Sequence, residues 1–205
     1  MISSFRALMI LLLPAALAAC DRQSRSPEQA NAGISGEVPA ASGEVRDAGA
    51  KGNAFSYRLD RSKAGTPAPD FAFLDPDGGE RTLQDFAGRP LLVNLWATWC
   101  APCIAEMPTL DRIAAAQGAR GLAVLTLSQD MQGMKAVTPF FQKHKLPHLR
   151  GYADPENRFG FHYATGQLPT TVIYDAQGKE MVRVIGAMDW EGPEAKALID
   201  AATAS

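Results

Sequence analysis

Val93-Asn94-Leu95-Trp96-Ala97-Thr98-Trp99-Cys100-Ala101-Pro102-Cys103 runs from an apolar segment directly into two cysteines separated by two residues. Leu91 to Trp96 is almost continuously apolar, the pattern of a strand buried on both faces. A helix is predicted from about Cys100 to Ala116. Pro102 falls in its first turn, where no intrahelical N–H is needed, and Pro108 falls inside it. This order places the cysteine pair at a helix N-terminus. Unpaired amides and a partial positive charge there favour the thiolate, which is the nucleophile of disulfide exchange. Cys100 is the more exposed thiol and the attacker. Cys103, deeper in the helix, resolves the mixed disulfide. Trp99 and Pro102 bracket the nucleophile with apolar surface.

Two other uses of such a pair are weaker. A zinc site needs a second pair of ligands. Apart from Cys20, no other cysteine remains, and His144, His148 and His162 do not have ligand spacing. A purely structural disulfide would close only a short loop, and such a loop removes little chain entropy. The pair therefore reads as redox-active, with no metal or cofactor required.

Further along the chain, the elements alternate. Phe71, Phe73 and Leu74, the turn Asp75-Pro76-Asp77-Gly78-Gly79, and Arg81-Thr82-Leu83 read as a hairpin. Leu122 to Leu127 is a second buried strand, and a helical segment spans about Lys135 to Lys143. Thr171 to Tyr174 and Glu180 to Ile185 are strands around the turn Asp175-Ala176-Gln177-Gly178. A closing helix runs from Glu194 to Ala202. This succession indicates a layered α/β domain.

The N-terminus reads as an export signal. Arg6 precedes an apolar run from Ala7 to Ala19, too short for a comfortable membrane span. The run ends in Leu17-Ala18-Ala19-Cys20, which resembles a bacterial lipobox. That resemblance implies removal of residues 1–19 and lipidation of Cys20, with two or three acyl chains giving firm attachment. Asp21 resembles an inner-membrane retention signal. Residues 20–64 are rich in Gly, Ser, Ala, Glu, Pro and Arg without apolar period, as expected of a flexible tether. Its random-coil span is roughly 35 Å. The folded domain is expected over residues 65–205.

From Val93 to Cys103, through Glu106-Met107-Pro108-Thr109-Leu110 and on to Gln167-Leu168-Pro169-Thr170-Thr171, the chain resembles the TlpA/ResA/CcmG group of the thioredoxin superfamily. The resemblance covers roughly Gly65 to Ala202. It implies a thioredoxin-like three-layer fold with an N-terminal β-hairpin and a helix-containing central insert over about Asp130 to Thr165. In that insert, Phe140, Phe141 and Leu146 form the core face. Pro169 matches the group's cis-proline, facing the cysteines. Leu168 then offers its backbone to a substrate peptide, beside Trp99, Ala101 and Pro102. Glu106, one turn after Cys103, matches an acidic residue that takes a proton from Cys103 or tunes the pair. Cytosolic thioredoxins carry aspartate where this chain has Asn94, and asparagine cannot serve as that acid or base. Trp96 and Trp190 are core candidates, and Trp99 is expected to be partly exposed.

The function implied is reduction of disulfides in an exported client protein. Clients would belong to cytochrome c or respiratory-oxidase copper-site assembly, and a membrane thiol-electron transporter would supply the electrons. The location would be the periplasmic face of the membrane, with lipid contact through Cys20. Oxidation of thiols by the same pair is the alternative direction. A copper chaperone would space its cysteines by three residues and add a histidine, and this chain does neither. A thiol peroxidase would carry threonine at Ala97. The formal net charge of −2 gives no electrostatic footprint for nucleic acid.

Overall fold

The computed structural model describes residues 55–117 and 121–204. The expected signal peptide over 1–19, the lipidation candidate Cys20 and the tether up to residue 54 lie outside the described residues. In chain order the strands are β1 (Tyr57–Asp60), β2 (Phe73–Leu74), β3 (Glu80–Arg81), β4 (Leu91–Trp96), β5 (Ala123–Ser128), β6 (Gly151–Ala153), β7 (Thr170–Tyr174) and β8 (Glu180–Gly186). The helices are α1 (Ala101–Gln117), α2 (Met134–His144), α3 (Arg158–Tyr163) and α4 (Pro193–Thr203), with a single 3-10 turn at Leu83–Phe86. Among the described residues no helix is long and apolar enough to cross a membrane.

The strands form one mixed sheet in the order β1-β8-β7-β4-β5-β6-β2-β3. β4 pairs in parallel with β5 and antiparallel with β7, so it has a neighbour on each side. All six of its residues are buried. Side chains alternate across a strand. Leu91, Val93 and Leu95 pack with Phe159 and Tyr163 of α3. Leu92 packs with Leu110 and Ile113 of α1 and Leu198 and Ile199 of α4. Trp96 packs with Cys100, Cys103 and Met107, and with Val137 and Phe140 of α2. Helices thus cover both faces, giving the three layers that the sequence leads one to expect. Each apolar side chain of β4 contributes about 2 kcal/mol by burial. That is comparable to the roughly 1–3 kcal/mol cost of one unpaired buried polar atom, and this strand holds such an atom, Asn94 Oδ1.

One expectation needs correction. The domain does not begin near Gly65: β1 pairs antiparallel with β8, from Tyr57↔Gly186 to Asp60↔Arg183. The polar composition around it hides a strand in which Leu59 is buried and the other three residues are half-buried. The tether expected over 20–64 therefore already includes an edge strand. The central insert is helix-containing, as expected, and α2 is followed by further elements. After α2 it adds β6, which extends the parallel arrangement beside β5, and then α3 on the opposite face. Both are too short to announce themselves by periodicity. The hairpin is present but reduced to two residues per strand, with Leu83 starting the 3-10 turn.

Gly186 is where β1 joins. Its φ is +106°, and a Cβ there would lie 2.3 Å from the Ser56 carbonyl oxygen, a backbone atom. Its N–H donates to Pro169 O at 3.0 Å. Gly186→Ala should destabilise the fold by about 1–3 kcal/mol and accelerate amide exchange at Tyr57–Asp60. Denaturant unfolding with hydrogen exchange reads both effects, and unchanged exchange in β1 would contradict this account.

Candidate active site

Cys100 occupies the N-cap position of α1. Its carbonyl accepts the Ile104 N–H at 3.1 Å, and its Sγ accepts the Cys103 N–H at 3.4 Å. A serine or aspartate N-cap oxygen does the same for the third amide of a helix. Here sulfur does it, so the helix amide that is capped also faces the reacting atom. Cys100 and Cys103 are joined as a disulfide, with Cα atoms 5.3 Å apart. Cys100 is 6% exposed and Cys103 0%. When the bond opens, the Cys103 amide and the helix terminus are placed to stabilise a Cys100 thiolate. Pro102 sits at the second helical position and has no N–H to leave unpaired.

The loop before Cys100 is fixed from the neighbouring strand. Asp130, buried just after β5, accepts from the Thr98 N–H and the Thr98 hydroxyl, both at 2.8 Å, and from the Ser128 hydroxyl at 2.7 Å. Gln129 N–H donates to Trp96 O at 2.8 Å. Trp99 is consequently held outward and is 71% exposed.

Beneath the cysteines, Glu106 is fully buried. It is not a solvated helix glutamate. Oε1 accepts from Asn94 Nδ2 at 2.8 Å, and Oε2 accepts from Met188 N–H at 3.0 Å and Trp190 Nε1 at 3.2 Å. Burial pushes this carboxyl up to about 7, against the opposing pull of the Met188, Asn94 and Trp190 donors. Asn94 Nδ2 also donates to Thr171 Oγ1 at 2.9 Å, and its Oδ1 has no partner. The amide can serve both protonation states of Glu106. As drawn it donates to the carboxylate; turned over, Oδ1 could accept from the protonated acid and from the Thr171 hydroxyl. An aspartate at this position, when ionised, could donate to neither.

Above the cysteines lies a groove of about 800 Å³, lined among others by Leu95, Trp99, Cys100, Ala101, Pro102 and Leu168. Among the described residues no charged side chain lines it. The Leu168–Pro169 bond is cis, the isomer the resemblance implies. Leu168 lines the groove, whereas Pro169 is buried and does not. Among the described residues no group of three or more His, Cys, Asp or Glu side chains could hold a metal ion.

The sequence reading passed over Asn94 as a donor, together with Met188, Trp190, Asp130 and the outer groove wall at Gln129 and Phe161. Two signals were available. An amide in a strand buried on both faces must find a partner. The polar triplet Ser128-Gln129-Asp130 also sits at the carboxyl end of a parallel strand, where sites of open α/β sheets gather. Met188 and Trp190 carried no such signal.

A Redoxin family model matches residues 63–199. The thiol-disulfide oxidoreductase ResA of Geobacillus thermodenitrificans is 31% identical over 127 residues, covering 62% of this chain and 72% of that protein. ResA of Bacillus cereus is 29% identical over 132 residues, 64% of this chain and 75% of that one. Among solved structures, a putative thiol:disulfide interchange protein DsbE from Chlorobium tepidum superposes with a TM-score of 0.59 at 26% identity, covering 68% of this chain and 97% of that one. These similarities assign the cysteine pair to thiol–disulfide exchange.

The buried carboxyl gives a pH signature. Between its ordinary 4.5 and about 7, the native state holds a proton that the unfolded chain has released. Stability from this group is present below pH 4.5 and is lost as pH rises through 7. The loss is on the order of 3 kcal/mol. The difference in unfolding free energy between wild type and Glu106→Gln, both oxidised, should shift by that amount across the window in favour of the variant. Denaturant titrations at a series of pH values check it, and a pH-independent difference would refute it.

Proposed function

Because the chain belongs to the Redoxin family and carries a Cys-x-x-Cys pair at a helix N-terminus, we propose that it works as a membrane-tethered protein disulfide reductase. In the forward step the Cys100 thiolate attacks one sulfur of a client disulfide. The client S–S bond breaks, and a mixed disulfide forms as one client thiolate leaves and takes up a proton. Cys103 then gives up its proton and attacks the Cys100 sulfur, releasing the second client thiolate, which is protonated in turn. Two electrons pass from the pair to the client, and the pair ends as the Cys100–Cys103 disulfide. Glu106, one helical turn from Cys103 with a carboxyl pushed up to about 7, suits the role of accepting the Cys103 proton.

The apolar and uncharged polar side chains that line the groove at Cys100 among the described residues carry the direction assigned here. Strongly oxidising pairs owe their potential to a stabilised thiolate in the reduced form. At Cys100 the thiolate would have the helix terminus and one amide but no cation lining its groove, and burial opposes its charge. Such a pair favours the disulfide after reaction and therefore reduces its clients. A membrane thiol-electron transporter, acting as a dithiol donor, would return the pair to its reduced form. Lipidation at Cys20 would hold the enzyme at the periplasmic face, on the inner membrane by the character of Asp21. Its clients would be exported proteins of cytochrome c or oxidase copper-site assembly.

Cys100→Ser should abolish turnover, and Cys103→Ser should accumulate mixed disulfides whose partners mass spectrometry identifies. Recovery of no covalent adduct counts against resolution by Cys103. A redox titration against glutathione should place the pair on the reducing side, and a potential above that of glutathione would overturn the direction. Cys20→Ser should move the protein from the membrane fraction to the soluble one.

A further inference from the structure

One wall of the groove is built by α3 and the loop after it. Residues 157–168 supply more than half of the groove lining, with Phe161 exposed on α3 and Leu168 at the end of the loop. α3 has only six residues, too few to persist as an isolated helix. Its flanks, Asn157 at φ 54° and Ala164 at φ 52°, are both in the left-handed region. A non-glycine residue keeps that conformation only where its surroundings impose it. The surroundings grip both ends of α3. Asp154 accepts the Arg158 and Phe159 N–H groups at 3.1 and 2.9 Å. At the other end Arg183 Nη1 donates to Tyr163 O at 2.8 Å, and the guanidinium carbon lies 5.2 Å from the Tyr163 ring centre. The Tyr163 hydroxyl is hydrogen-bonded to that of Tyr174 at 2.7 Å.

Arg183 is held for this task by an irregularity in β8. Residues three apart on a regular strand point to opposite faces. In β8, Val182 pairs with Ile173 and Glu180 pairs with Tyr174, so Met181 is an extra residue, a β-bulge. The bulge brings Glu180 onto the same face as Arg183. Its carboxylate takes the guanidinium in two bonds, from Nε to Oε1 at 2.6 Å and from Nη2 to Oε2 at 2.9 Å. The remaining nitrogen, Nη1, is left for Tyr163 O. A cation there also complements the partial negative charge of the helix end. Both partners are buried, Glu180 at 3% and Arg183 at 6% exposed, and neither lines the groove.

We propose that Arg183, oriented by Glu180, is a positioning residue for the exchange reaction: its hold on Tyr163 O fixes the end of α3 and so sets the wall of the groove that a polypeptide disulfide meets. The pair acts on the fit of the client and takes no part in the sulfur chemistry, whose helix cap and buried carboxyl lie on α1. Well-packed apolar residues of similar volume often stabilise a buried site as well as an ion pair does. They could not hold the Tyr163 carbonyl, and that hold is the use this pair has. The proposal rests on the exchange chemistry assigned to Cys100 above and adds to it the remote residues that govern client affinity.

The test follows the reduced full-length protein through one round of exchange with two probes. These are a short end-capped peptide closed by its own disulfide, and hydroxyethyl disulfide, which is too small to span the groove. In the double variant Glu180→Leu/Arg183→Met both charges leave together, so no buried charge is stranded. The peptide concentration that gives half the maximal rate should rise about tenfold, a difference of about 1.4 kcal/mol. The limiting rate with peptide, the rate with hydroxyethyl disulfide and the reduction potential should stay as in wild type. Arg183→Lys keeps a charge opposite Glu180 but lacks the planar fork that serves both partners. It should show a smaller split in the same direction, with faster amide exchange over residues 161–167, and it decides the matter if the double variant does not fold. Equal slowing with both probes, as a general loss of structure would give, overturns the proposal, and so do unchanged peptide constants in a folded variant. If wild type reduces neither probe, the exchange chemistry itself fails and the proposal falls with it.

Discussion

A strand buried on both faces has no water to offer a polar side chain, and β4 carries one, Asn94. Its amide must be satisfied from the elements packed on it. Its NH2 group is satisfied from α1, through Glu106, and from β7, through Thr171, while its Oδ1 has no partner. Glu106 in turn collects donors from Met188 and Trp190, in the segment that leads to α4. One buried carboxyl therefore ties the central strand, the helix that bears the cysteines and the approach to the last helix. Burial alone would neutralise this group, and three donors hold it near the midpoint. The same balance that makes it costly at high pH gives it a proton-exchanging range near neutrality.

The cysteine end of the site has the opposite character. Cys100 is stabilised by a helix terminus and one amide, and its groove is lined by apolar and uncharged polar side chains. The acidic group lies one turn below, on the protein side, so charge is kept beneath the pair and away from the client. Asp130 fixes the Trp99–Cys100 approach from β5 by three hydrogen bonds, which sets the tryptophan in the groove wall. The geometry is preorganised by buried polar groups and presents an apolar surface to the partner.

Local pattern made much of the fold legible. The continuous apolar run gave β4, and the predicted limits of β5, α2, β7, β8 and α4 lie within about two residues of those observed. The elements that escaped were short and depend on neighbours. β1 has four residues and owes its order to pairing with β8, at a glycine whose positive φ admits the Ser56 backbone. β6 and α3 have three and six residues and exist by packing on β5 and on Val93 and Leu95.

By itself, the sequence determined the layered α/β order, the cysteine pair and its place at a helix start. These are local: a strand, a turn and a helix cap are written in consecutive residues. It also placed a proline before Thr170, which the structure shows after a cis bond. Only the tertiary structure decided what surrounds the pair. Asn94 and Glu106 are twelve residues apart, and Glu106 and Trp190 are separated by eighty-four. Whether a glutamate one turn past the cysteines meets water or a cage of donors depends on which distant segments fold over it.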